Sequence, residues 1–285
     1  MEQQQIEKLI KLNADSLQLQ QVTLMTLLHL KDYLMHMHNT YSKTLHANPL
    51  LRQAYKCFSQ NDEDGITLEI LRRMGISDGV YAEFGVGDGL ENNTLILAAM
   101  GWRGFWVGGE FLKFNYRRAS KFSYLRDWVT LDNVLQLLQS GMQSQRCEQL
   151  DVISFDLDGN DFYLVERMLQ QQVLPKLWIV EYNAKFIPPA RFVIDYDPKH
   201  QWTNDDYFGA ALMNWISLFE QYQYRLVACN PQTGSNAFFV RHDYLSAFAD
   251  VPTDIMQLYV PPNYHAYNQY GHKPSAKVVE TILNR

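Results

Sequence analysis

Three groups of residues along this chain have the types and spacing to do chemistry. The first is Glu83-Phe84-Gly85-Val86-Gly87-Asp88-Gly89. Alternating glycines suit a chain that turns sharply from a strand into a helix and lets a ligand approach its backbone. The second is Glu110, about 20 residues further on, which ends an apolar run. A carboxylate at such a place can accept both hydroxyls of a ribose. The third is a pair of acidic stretches, Ser154-Phe155-Asp156-Leu157-Asp158-Gly159-Asn160-Asp161 and Val180-Glu181-Tyr182-Asn183. Asp156, Asp158, Glu181 and Asn183 offer carboxylate and amide oxygens, the donors that a hard cation such as Mg²⁺ prefers.

The elements that must position these groups are legible as a pattern. Short β-rich runs fall at 80–84, 104–108, 127–130, 152–156, 177–182, 224–229 and 236–241, with helical patterns at 92–100, 131–138, 162–171 and 207–222. Such alternation predicts an α/β fold with a mostly parallel sheet. The turn at 230–234 is too short for a crossover helix, so the last strand should run antiparallel to its neighbour. The expected architecture is a Rossmann-like sheet of six parallel strands and one antiparallel terminal strand. Ligands of such sheets bind outside the carboxyl ends of the strands, which is where all three groups fall. Asp132 and Asn133 follow the third run, a place for contacts to a nucleoside base, and Asn92 opens the first helical pattern.

Residues 78–241 resemble a class I S-adenosylmethionine (SAM)-dependent methyltransferase. The spacing Gly-x-Gly-x-Gly, with an acid two residues before the first glycine, resembles the SAM pattern rather than the dinucleotide Gly-x-Gly-x-x-Gly. The stretches at 156–161 and 180–183, together with 207–210 and 234–241, resemble the FkbM-like group and related bacterial sugar O-methyltransferases. That group usually carries Glu where this chain has Asn160 or Asp161. The resemblance implies SAM contacts at Glu83, Gly85, Gly87 and Glu110. Asp88, Gly89, Asn92, Asp132, Asn133 and Asp156 complete the expected cofactor set. It also implies a reactive edge at Asp156 and Asp158.

The expected activity is therefore SAM-dependent methyl transfer, with a sugar or glycan hydroxyl as the favoured acceptor. Mg²⁺ on Asp156, Asp158, Glu181 and Asn183 would allow metal assistance. The hydroxyl proton needs a base, and Asp158, His265 and His272 are the candidates. Aromatic residues mixed with acids at 184–206 and 251–274 suit a polyhydroxylated substrate, because rings cover C–H faces and carboxylates accept hydroxyl hydrogens. The alternative is a non-catalytic protein that uses this fold as a scaffold and acts through its N-terminal helices.

Three regions follow. Residues 1–77 form a helical region, 78–250 the SAM-binding domain, and 251–285 a tail that could serve as a substrate lid. The first proline is Pro49 and the first glycine Gly65, so nothing breaks a helix before His46. Ile10, Ala14, Leu17, Leu24 and Leu28 follow a 3–4 spacing that could join two copies into a homo-oligomer. The formal net charge of −6 argues against a nucleic-acid partner. The cysteines Cys57, Cys147 and Cys229 have no metal or disulfide spacing, which points to a reduced, cytoplasmic setting. No apolar stretch reaches the roughly 20 residues that a bilayer span needs.

Overall fold

A computed structural model describes residues 2–44, 46–116 and 119–262. The chain divides into two compact units, Met1–Tyr41 and Ser42–Arg285. The first is a single helix, α1, that runs Glu2–Thr44. With no proline or glycine to interrupt it, α1 extends about 65 Å at 1.5 Å per residue. Its apolar side chains, Ile10, Leu17, Leu24 and Leu28 among them, are exposed. Among the described residues no helix is long and apolar enough to cross a membrane.

The second unit is built on a seven-stranded sheet of order β3-β2-β1-β4-β5-β7-β6. Its strands are β1 (Val80–Phe84), β2 (Arg103–Gly108), β3 (Phe122–Arg126), β4 (Val152–Phe155), β5 (Leu177–Glu181), β6 (Tyr224–Cys229) and β7 (Asn236–Arg241). The parallel pairs are β1 with β2, β1 with β4, β2 with β3, and β4 with β5. β7 runs antiparallel to both β5 and β6, which leaves β6 parallel to the rest. Six parallel strands and one antiparallel strand are thus as expected, with β7 lying between β5 and β6. The hairpin geometry explains this: β6 passes β7 on the outside and β7 fills the gap beside β5.

β1, β4 and β5 are mostly apolar and buried almost throughout because both sheet faces are covered. The helices of this unit are α2 (Glu63–Met74), α3 (Leu95–Ala99), α4 (Val134–Gln145), α5 (Asp161–Gln170), α6 (Leu212–Gln221) and α7 (Ile255–Leu258). α4 packs on β2 and β3, and α6 on β6. Residues 42–77, grouped with the helical arm by the sequence pattern, belong to this unit. Leu50, Leu51, Ile66 and Ile70 are fully buried in its core.

One strand differs from expectation. β3 is Phe122–Arg126, whereas 127–130 is irregular and leads into a turn at 131–133. The segment is held by Asn133, whose Oδ1 accepts from Thr130 N at 2.8 Å and whose Nδ2 donates to Trp128 O at 2.8 Å. Local side-chain bonds of this kind compete with a sheet ladder and win here. The expected helix at 92–100 shortens to α3 for a similar reason, since Asn93 N and Thr94 N are both engaged by Glu83.

Candidate functional site

The carboxyl ends of β1, β2, β4 and β5 open into one cavity of about 800 Å³, a volume typical of small-molecule sites. Its floor is the turn after β1. Gly85, Gly87 and Gly89 all have positive φ, at 89°, 50° and 82°. At Gly85 a Cβ would stand 1.4 Å from the backbone oxygen of Asp156. Only glycine therefore lets the β1 turn lie against the end of β4. At Gly87 a Cβ would meet nothing within 4 Å, so the backbone there is open to a ligand.

Glu83 is buried below this turn. Its Oε1 accepts from Asn93 N at 2.8 Å, and its Oε2 accepts from Thr94 N at 2.9 Å and Thr94 Oγ1 at 2.5 Å. Trp106 Nε1 donates to the same hydroxyl at 2.8 Å. Burial pushes Glu83 up to about 7, against the pull of these donors from Thr94 and Asn93. Glu83 lines the cavity, yet both of its oxygens already brace the loop that leads into α3. Its main work is to fix the cradle. Asp88 pairs with Lys113 at 2.7 Å and holds Leu90 N at 3.0 Å, which sets the outer lip.

Glu110 stands exposed at one end of the cavity, two residues past β2. Tyr124 of β3 holds that strand end by donating to Gly108 O at 2.8 Å and to Glu110 O at 2.6 Å. The carboxylate is thus carried on a fixed backbone and is open to a pair of hydroxyl donors.

Three carboxylates meet at the other end. Asp156, Asp158 and Glu181 each offer an oxygen within 4.8 Å of the other two. At an effective dielectric constant near 20, two unit charges that far apart repel by about 3 kcal/mol. Burial, then Asp158, holds Asp156 well above the usual carboxylate range. Burial, then Asp156, does the same to Glu181, and the two groups face each other closely enough to share a proton. Burial and Asp161 raise Asp158 to about 6. Asp158 has φ 54°, a left-handed conformation that Asp and Asn tolerate better than most residues. The turn is braced from beneath by Asp161, whose Oδ1 accepts from Leu157 N at 2.6 Å and Oδ2 from Gly159 N at 2.8 Å. These three carboxylates could ligate a divalent cation or seat another cation.

The other expected residues fall elsewhere. Asn183 is turned away from the triad: its Nδ2 donates to Asp206 O at 3.0 Å and Phe208 O at 3.2 Å, which ties down the loop after β5. Asn92 is buried beneath the turn, with its Nδ2 toward Val86 O. Gly89 shapes the turn from behind, against Leu112 and Phe114. Asp132 is exposed and Asn133 is spent on holding the 127–130 segment, and neither lines the cavity. His265 and His272 lie outside the described residues.

Several residues that complete the cavity carried no local signal in the sequence. Gln60 comes from the segment before α2, Trp202 from the segment after β5, and Ser235 and Asn236 from the start of β7. Asn236 is opposite Glu181 in the ladder. Its Nδ2 donates to the buried Glu63 at 3.0 Å, while among the described residues its Oδ1 has no hydrogen-bond partner. The segment 184–206 is a fixed wall rather than a loose loop. Trp128 Nε1 donates to Pro198 O, Leu131 N to Tyr196 Oη, and Asn160 Nδ2 to Asp197 O. Within it Phe192 and Tyr207 form a small separate core with Ile194 and Ala211, so those rings are structural.

No family model and no curated protein matches the chain. Solved structures do. One is a putative O-methyltransferase from Nostoc punctiforme PCC 73102, at 13% identity and TM-score 0.36, covering 61% of this chain and 56% of that one. Another is CalO1, a methyltransferase in calicheamicin biosynthesis in its SAH-bound form, at 15% and 0.33, covering 60% and 52%. A third is a putative hemolysin from Lactococcus lactis, at 12–15% like the rest, with 13% identity and TM-score 0.38, covering 61% and 85%. The matched region thus spans about half the length of the first two. Likeness at this level says nothing of chemistry, which has to come from the residues themselves. The strand order, the antiparallel β7 and the glycine turn after β1 make the second unit a Rossmann-like sheet of six parallel strands and one antiparallel strand.

Proposed function

We propose that this cavity binds SAM and that the protein transfers its methyl group to a hydroxyl of a sugar or glycan. The observation that carries the reading is the left-handed glycine turn, open at Gly87, with Glu110 at one end of the same cavity and the carboxylate edge at the other. A nucleoside with a charged tail fits that layout. Glu110 accepts the ribose hydroxyls, the glycine turn admits the tail against its backbone, and Asp156 and Asp158 border the reacting end.

Bound SAM supplies an electrophilic methyl carbon on a sulfonium. The chain's own residues orient the acceptor and take its proton. Asp158, raised to about 6, is ionised at neutral pH and stands at the exposed rim of the triad, where it can accept the hydroxyl proton. The 184–206 wall, with Trp202 facing the cavity, limits how the acceptor can lie.

A divalent cation on Asp156, Asp158 and Glu181 is a second reading, favoured by the closeness of the three oxygens. Activity lost on chelation and restored by Mg²⁺ supports it. Homo-oligomerisation through α1 also belongs to the proposal, supported by its exposed apolar side chains. The mass of the full chain in solution, compared with a Leu24→Glu variant, tests it.

The primary test is calorimetric titration of the full chain with S-adenosylhomocysteine (SAH). Micromolar binding that weakens sharply in Glu110→Ala supports the reading. An empty site at millimolar SAH overturns it and favours a scaffold acting through α1.

A further inference from the structure

The charge of the cavity restricts what can enter it. Among the described residues its lining holds seven carboxylates and no lysine, arginine or histidine. Two of the seven are already paired at the lip, Asp88 with Lys113 and Glu91 with Lys56. Glu83 is braced by Asn93 and Thr94. Glu110 serves the cofactor end. Asp156, Asp158 and Glu181 remain together at the acceptor end with no cation in the wall to balance them.

We propose that the methyl acceptor is an amine-bearing polyhydroxy compound, and that its ammonium group is held by Asp156, Asp158 and Glu181. This deepens the methyltransferase reading and rests on it. Two further observations point to such an occupant. Asn236 is nearly fully buried and lines the cavity beside Glu181, and among the described residues its buried Oδ1 has no hydrogen-bond partner, which leaves an acceptor for an N–H or O–H donor. Glu63 fixes that orientation by taking the amide hydrogens of both Asn236 and Asn230. Trp202 adds an aromatic face to the same cavity. A ring face attracts an ammonium and covers the C–H side of a sugar, but it offers nothing to a hydrated metal ion.

The ammonium is an anchor and not the methylated atom, because a protonated nitrogen has no lone pair to attack with. A neighbouring hydroxyl of the same molecule accepts the methyl, and its proton passes to a carboxylate of the rim. Acceptors that carry phosphate or carboxylate close to that hydroxyl are excluded, since they would bring negative charge to an edge of three carboxyl groups with no cation in the described wall.

The test uses the full chain in metal-free buffer and starts with SAH alone. SAH-loaded protein is then titrated with a glucosamine disaccharide bearing free amines and with its N,N′-diacetyl form. The free-amine form should bind at least about 10-fold tighter, as expected for a charge-assisted contact. The preference should fall below about 3-fold in Glu181→Gln and in Asp158→Asn, both checked for retained SAH binding. Equal binding of the two disaccharides, or binding of neither, overturns the proposal. So does Mg²⁺ that binds the SAH-loaded protein and displaces the amine. A failure to bind SAH at the outset instead marks failure of the methyltransferase reading itself.

Discussion

Asp158→Asn should make the ligand-free protein more stable while removing its activity. Asp158 rises from the ordinary 3.8 to about 6, through burial and the charge of Asp161. That rise corresponds to about 3 kcal/mol of preference for the protonated form. Because the folded value lies above the unfolded one, its favourable contribution is complete below 3.8 and is lost as pH rises through 6. At pH 8 the carboxylate is therefore a liability that asparagine removes. Asp158 is exposed at the rim, so solvent screens part of the effect, and we expect a gain of about 1–2 kcal/mol. The backbone should not object, since asparagine also tolerates φ 54°. Thermal melting at low salt should show an increase of roughly 2–5 °C at pH 8 that shrinks to near zero at pH 4. Methyl transfer should fall about 10²-fold or more with the loss of the base. Equal or lower stability at pH 8, or the same gain at both pH values, would refute the account of the triad.

The remaining predictions concern the cradle and the pH profile. Glu83→Gln should destabilise, in contrast to Asp158→Asn, because an amide cannot accept from both Asn93 N and Thr94 N. One buried donor left unmet costs about 1–3 kcal/mol, readable by chemical denaturation. Gly85→Ala should lose the β1–β4 junction, and with it most of the folded protein, while Gly75→Ala, at φ 72° with nothing within 4 Å, should cost only about 1 kcal/mol of backbone strain. Comparable melting curves for the two would show that the turn is not close-packed. Glu110→Ala should weaken SAH by about 10- to 100-fold, as expected for lost bonds to a charged acceptor, with the melting temperature unchanged. Activity against pH should rise through about 6 as Asp158 loses its proton, and a flat profile from 5 to 8 would remove it as the base.

Much of this was legible in the chain because it is local. The Gly85-to-Gly89 turn needs three left-handed positions within five residues, and glycines mark them in any context. Glu110, Asp156, Asp158 and Glu181 were found because each sits at or within a few residues of the end of an apolar strand, and parallel strands bring such ends to one edge. Asn183 failed the same argument. Two residues past β5 its amide turned to Asp206 and Phe208, partners 23 and 25 residues away that no local pattern specifies. Strand β3 was displaced because Asn133 bonds the 127–130 segment away from the sheet ladder, a choice made by side-chain geometry and not by β propensity.

What the sequence determined by itself was the alternation of strand and helix, the antiparallel final strand, and the identity of the carboxylates at the strand ends. These follow from period, turn length and residue type. The tertiary structure alone decided how they combine. Inserting β7 beside β5 put Asn236 opposite Glu181, the pinned 184–206 wall brought in Trp202, and burial with neighbouring carboxylates raised Asp156, Asp158 and Glu181 above their ordinary range. The physical reason is that charge coupling depends on distances of a few ångströms between segments far apart in the chain, and only packing sets those distances.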